Sequence, residues 1–129
     1  MSADNTKLWT WHILAGLIIL VLLGMHMVGM HLNDVLHLES FNPAGENPVD
    51  WANVTARAQE IGTVVVYILL LGTALYHGLY GLRNILLELN PSDVMTGFIN
   101  KFLLAAGIVL FVFGSWAAVA SFNLAQTLG

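Results

Sequence analysis

Three long apolar runs, at residues 8–30, 61–82 and 98–122, are separated by shorter polar stretches. Each exceeds 20 residues and is almost free of charge. A helix rising about 1.5 Å per residue crosses a hydrocarbon core about 30 Å thick in that length. The pattern therefore predicts an all-α membrane protein, a single transmembrane domain over residues 1–129 with helices at about 8–31, 61–87 and 98–122. A fourth, short amphipathic helix is expected over 50–59, with Trp51 lying at the membrane surface. Pro43 and Pro48 break any longer helix in that loop, and Asn90-Pro91-Ser92-Asp93 reads as the turn into the third span.

Composition agrees with the pattern. Hydrophobic residues make up 57% of the 129 and charged residues only 9%, against about 25% charged in a soluble domain. The first run is too long for the apolar core of a secretory signal, usually about 7–15 residues, and continues into His31-Leu32-Asn33-Asp34, so it reads as a retained helix. Cysteine is absent, which leaves no disulfide, thiolate metal site or Cys-ligated iron–sulfur cluster for this sequence to make. Electrons passing through the chain would have to come from a partner. With a net charge of −4 and no basic patch, no nucleic-acid partner is expected.

Trp9 and Trp11 stand where an interfacial aromatic belt would lie. The loop after the first span is acidic, holding Asp34, Glu39, Glu46, Asp50 and Glu60 against Arg57 alone, while Lys7, Arg83 and Lys101 fall on the other side. This bias predicts an integral membrane protein of a cytoplasmic or inner membrane, with its N-terminus inside and C-terminus outside. Asn53-Val54-Thr55 matches a glycosylation sequon.

Five histidines accompany only four Lys and Arg. An ionisable side chain inside a bilayer is costly and points to function, and neutral imidazole is the usual protein ligand of haem iron. Hydrogen bonding between helices is the competing use. His77 shares a helical face with Thr73 and Gly81, and the small residue one turn away leaves room for a porphyrin plane; Gly78 widens that gap, with Tyr76 and Tyr80 beside it. His26, in the first span near Leu22 and Gly29, is a second candidate ligand. Counted at about 1.5 Å per residue, His26 and His77 lie roughly 14 Å apart along the membrane normal. They cannot share one iron, so each haem needs its second axial ligand from another chain, because the third span holds no histidine.

His12, about a turn nearer the surface than His77, is the other ligand candidate at the inner depth and a candidate for a quinone or proton-relay role; His31 and His37, at or beyond the outer surface, read first as solvated or interfacial histidines, with a quinone, proton-relay or haem-propionate role for His31 as the alternative. Arg83 either snorkels to the interface or pairs with a haem propionate or quinone carbonyl. Glu88 is a candidate proton relay. Gly107 and Gly114, seven residues apart on one face, read as helix packing.

The stretch His77-Gly78-Leu79-Tyr80-Gly81-Leu82-Arg83-Asn84-Ile85-Leu86-Leu87-Glu88 resembles the second-helix signature of the membrane anchor subunits of succinate dehydrogenase and fumarate reductase. That signature has a His, a Gly four residues on, an Arg two further, and an acidic residue eleven after the His. Gly24-Met25-His26-Met27 is similar to the first-helix histidine of anchors that hold two haems at different depths. Length and hydropathy match the small three-helix anchor. The resemblance implies haem b, one or two and shared with a partner chain, bound by His77 and His26 with Gly81, Arg83 and Tyr80 alongside. It further implies a flavoprotein, an iron–sulfur subunit and a second anchor chain as partners, with membrane quinone as electron acceptor or donor. The chain departs from the family at Glu88-Leu89, where Asp and often Tyr are found, and where that tyrosine contributes to quinone binding in some members.

The function expected is electron transfer between an iron–sulfur partner and quinone, with no dicarboxylate chemistry in this chain. A cytochrome b subunit of another quinone-linked oxidoreductase is the first alternative. A cofactor-free structural or assembly subunit is the second. A transporter is disfavoured, since three helices without a paired buried charge offer no pathway.

Overall fold

A computed structural model describes residues 3–31, 42, 45 and 47–128. They form four helices: α1 (Ala3–His31), α2 (Trp51–Ala58), α3 (Ile61–Glu88) and α4 (Asp93–Leu128). No strand occurs among the described residues. The three long helices are each long and apolar enough to cross a membrane, and the all-α architecture with three spanning helices is as the hydrophobic pattern predicts. The position of His37 lies outside the described residues.

Helix ends differ from the apolar runs because hydrogen bonding continues where hydrophobicity stops. The third span opens at Asp93, more than a turn before residue 98, since Ser92 caps it: the Met95 amide donates to the Ser92 hydroxyl oxygen at 3.4 Å. Asp93 then sits in the first turn, where a carboxylate faces the positive end of the helix dipole. α3 closes just before Asn90, which adopts the left-handed conformation at φ 52°. At 36 residues, α4 is about 54 Å long by its rise, so its ends project beyond the hydrocarbon.

α3 lies in the middle, with α1 against one flank and α4 against the other; α1 and α4 do not pack on each other. Small residues set the α3–α4 approach. A Cβ on Gly107 would stand 2.9 Å from Leu79, one on Gly114 2.5 Å from Leu71, and one on Gly72 3.2 Å from Phe111. In lipid, where no hydrophobic force drives helices together, such close seating supplies the dispersion contacts. Among the described residues, buried apolar side chains are correspondingly few, namely Ala15, Val64, Leu103 and Ala125. Large apolar residues such as Leu20, 70% exposed, and Val94, 86% exposed, face outward, as a lipid-solvated surface requires.

α2 forms a cap across one end of the bundle. Its anchor is Asn53, fully buried, whose amide donates to the carbonyls of Gly45 at 3.0 Å and Asn47 at 2.8 Å. The sequon asparagine is thus an internal staple of the loop. At the far end of α2, the Gln59 amide donates to the Ala125 carbonyl at 3.0 Å and accepts at its own carbonyl from Gln126 at 2.9 Å. On the α1 side, buried Asn42 donates to the Gly29 carbonyl at 3.2 Å and accepts from Arg57 at 2.7 Å. Trp51 remains exposed on the outer surface of this cap.

Candidate functional site

The antiparallel course of α1 and α3 brings the histidines to two levels. His12 of α1 meets His77 of α3, their rings stacked with centroids 4.1 Å apart and 5° between planes. His26 meets Tyr67 edge to face at 6.0 Å. Tyr67 and His77 are ten residues apart on α3, so the two levels are separated by about 15 Å along the helix.

At the lower level, the Nδ1 atom of His77 lies 3.1 Å from the His12 carbonyl oxygen. A carbonyl only accepts, so Nδ1 carries the hydrogen and Nε2 keeps the lone pair. Nε2 has no hydrogen-bond partner among the described residues. His12 is level with His77 rather than a turn nearer the surface, because the offset between α1 and α3 is set by their packing and not by where each apolar run ends. Its own Nδ1 is buried without a partner.

The space beside Gly81 is filled by His12, whose Cε1 would lie 3.5 Å from a Cβ there. Gly78 instead faces open space. Tyr80 tilts against the His12 ring at 5.1 Å and stacks on Tyr76 at 5.9 Å, while the Tyr76 hydroxyl donates to the Leu8 carbonyl at 3.0 Å. Thr73 spends its hydroxyl on the Leu69 carbonyl of its own helix, at 2.8 Å.

At the upper level, His26 lines an open-sided cavity of about 670 Å³ between α1, α2 and α3. Leu22, Met25, Tyr67 and Leu70 form apolar walls, and Arg57 stands at the polar end under α2. Arg57 is held there by Asn42 and by the Pro48 carbonyl. In the sequence it is merely the lone basic residue of an acidic loop. Its place on the amphipathic 50–59 segment was the available signal, since a helix lying on the membrane surface can turn a residue down onto the span beneath it.

Arg83 does not join His77. Six residues along a helix turn the side chain about 120° away, and Arg83 donates from Nε to the Asn100 oxygen of α4 at 2.6 Å. It opens onto a second cavity of about 580 Å³ between α3 and α4. Tyr76, Tyr80 and Asn100 form the polar end of that groove, with Leu103, Ile108 and Phe111 beyond. Asn100 carries no motif and went unnoticed in the sequence. Glu88 and His31 are exposed last residues of α3 and α1, at opposite ends of the bundle, so they do not share a site.

The residues present suit haem in two different ways. Around His26 the fit is one of shape and charge: one imidazole, apolar walls and a guanidinium, in a volume within the range of about 300–1,000 Å³ common to ligand pockets. For His77 the fit lies in the donor, an imidazole tethered through Nδ1 with Nε2 left to coordinate, the arrangement common to metal-ligating histidines. Among the described residues no three His, Asp or Glu side chains converge. In comparisons with known proteins, the chain matches no family model, no curated protein and no solved structure.

Proposed function

We propose that this chain is a haem-b-binding membrane anchor that carries electrons between an iron–sulfur partner subunit and membrane quinone, of the succinate dehydrogenase and fumarate reductase kind. The observation that carries the reading is the pair of intramembrane imidazoles about 15 Å apart in depth, one lining a cavity with a guanidinium and the other with its Nδ1 hydrogen committed and its Nε2 free. Haem, when bound, supplies one-electron redox chemistry within the bilayer. His26 and His77 would each donate one axial nitrogen, and Arg57 would face the carboxylates of the outer group. The stacked rings of His12 and His77 leave no space for an iron between them, so His12 would not be the opposing ligand, and a second anchor chain would have to provide it.

Quinone fits the α3–α4 groove. Arg83 and Asn100 offer hydrogen bonds to a quinone carbonyl at the polar end, and the Leu103–Ile108–Phe111 wall suits an isoprenoid tail. The succinate–fumarate assignment rests on the residue 77–88 signature. A flavoprotein and an iron–sulfur chain are its expected partners, while a cytochrome b of another quinone-linked enzyme would share the haem and quinone sites but not those partners.

The His12–His77 stack favours one other reading, in which the histidines serve only to pack helices in a cofactor-free subunit. A reduced-minus-oxidised optical spectrum of the purified complex separates the two. A b-type band that loses one component in His77→Ala and a different one in His26→Ala supports the proposal. Absence of any b-type band overturns it, and loss of the same single component in both variants overturns the two-depth arrangement. Co-purified flavin and iron–sulfur chains then separate the succinate dehydrogenase kind from other quinone-linked cytochromes.

A further inference from the structure

We propose that α1 is the positioning element of the inner haem ligand: Gly16 makes room for the His77 ring at the His12 carbonyl, and that carbonyl together with the His12 ring fixes the plane of the His77 imidazole and the direction of Nε2. The inference rests on His77 being a haem ligand, and it assigns the residues that determine how the ligand is presented.

The argument begins with helix geometry. In an α-helix the amide of residue i+4 bonds the carbonyl of residue i, and the side chain at i+4 stands close over that carbonyl. The His12 carbonyl is therefore shared with the Gly16 amide; its second lone pair stays open to a donor from outside the helix, and the bare Cα at position 16 leaves room for a ring to approach it. His77 uses that opening, with Nδ1 3.1 Å from the His12 oxygen. A Cβ on Gly16 would stand 3.0 Å from His77 Cε1 and 3.2 Å from Nδ1, in the space where the ring now lies. An alanine would crowd the imidazole, which must shift by a few tenths of an ångström and change its angle to the carbonyl.

The hydrogen bond chooses the nitrogen but leaves the ring free to swing about it. The His12 ring removes that freedom, lying 4.1 Å from His77 with only 5° between planes. His12 is itself wedged against Gly81 and Tyr80, so the stack is backed from α3. One imidazole is thus fixed by a backbone acceptor, a parallel ring and a bare Cα, all contributed by one turn of α1. Second contacts of this kind set ligand orientation and basicity, and their loss commonly costs about 10–100-fold in affinity.

The test uses the intact complex with its partner subunits and reads the oxidised low-spin haem by electron paramagnetic resonance, whose largest g value follows the angle between axial ligand planes, together with a potentiometric titration. Gly16→Ala is expected to displace the g value of the inner haem and to speed its loss to a haem-scavenging globin by about 10–100-fold. His12→Ala, which keeps the carbonyl and removes the stack, is expected to displace the g value and the midpoint potential with haem retained. His12→Phe restores the stack and the parent signature. Gly97→Ala, at a position facing open space, leaves both unchanged. Should Gly16→Ala fail to assemble, the His12→Ala and His12→Phe pair decides alone. A parent complex without b-type haem refutes the functional reading. Haem that persists with an unaltered g value and potential in Gly16→Ala and His12→Ala, yet is lost in His77→Ala, refutes the positioning role alone.

Discussion

Replacing Asn53 with alanine tests whether the α2 cap is held as its hydrogen bonds indicate. The wild-type amide is fully buried and donates to two loop carbonyls, those of Gly45 and Asn47. Each such bond contributes about 1 kcal/mol net. Gly45 and Asn47 are themselves exposed, so water can reach their carbonyls once the side chain is gone, and these two bonds alone set a loss of at least about 2 kcal/mol. About 2 kcal/mol corresponds to roughly a 30-fold rise in local opening. Amide hydrogen exchange over residues 51–58, measured in lipid nanodiscs, reads that opening directly. Thr55→Ala is the matched control: its hydroxyl bonds only the Trp51 carbonyl within the same helix, at 2.7 Å, and its effect should stay within about 0.5 kcal/mol. Unchanged exchange in Asn53→Ala would refute the staple. Exchange that rises equally in α3 and α4 would refute the locality of the cap.

Three further outcomes follow from particular contacts. Gly114→Ala places a Cβ 2.5 Å from Leu71 and should destabilise the α3–α4 pair by about 1–3 kcal/mol, measured by unfolding in mixed micelles and relieved in part by Leu71→Ala. Arg57→Gln should weaken retention of the outer haem while leaving the His77 signal intact, a difference read from the two components of the optical spectrum. Arg83→Leu removes a charged donor from the α3–α4 groove; at about 1.5–3 kcal/mol for such a bond, the apparent KM for quinone should rise about 10–100-fold with the haem spectrum unchanged.

The spans were legible because a bilayer imposes a length on any apolar helix, and the 50–59 segment was legible because its polarity alternates at helical period. What the sequence withheld was the relation between helices. Depth counted along α1 or along α3 is sound within each, yet the offset between them depends on how Gly16 and Gly81 let His77 and His12 interleave. His12 was therefore placed a turn from its true level, while the His26–His77 separation, which spans many residues, tolerated the same error. The 77–88 signature likewise groups His77 and Arg83 by sequence, whereas the helical turn sends them to opposite flanks of α3, one toward α1 and one toward α4. Arg57 needed both the loop's return path and the Asn42 tether before its relation to His26 existed at all. Asn53 was readable only as a sequon, since burial of an asparagine by its own loop carries no periodic signal.

These placements constrain the partner chain more tightly than the chain itself. In the proposed function His77 and His26 would each offer one nitrogen to a haem, and His12 is stacked alongside His77 rather than across from it. α4 contributes no imidazole, since its 36 residues include no histidine. On that proposal the opposing ligands would come from a membrane-spanning neighbour with two imidazoles at matching depths, about 15 Å apart, or about ten residues if one helix carries both. A neighbour with a single intramembrane histidine would complete one site and leave the other iron five-coordinate. Such a complex would show a high-spin signal beside the low-spin one, and mutation of that lone histidine would convert the second haem as well. Two low-spin haems with a partner lacking a second intramembrane imidazole would refute the pairing, and with it the assignment of one histidine of this chain to each iron.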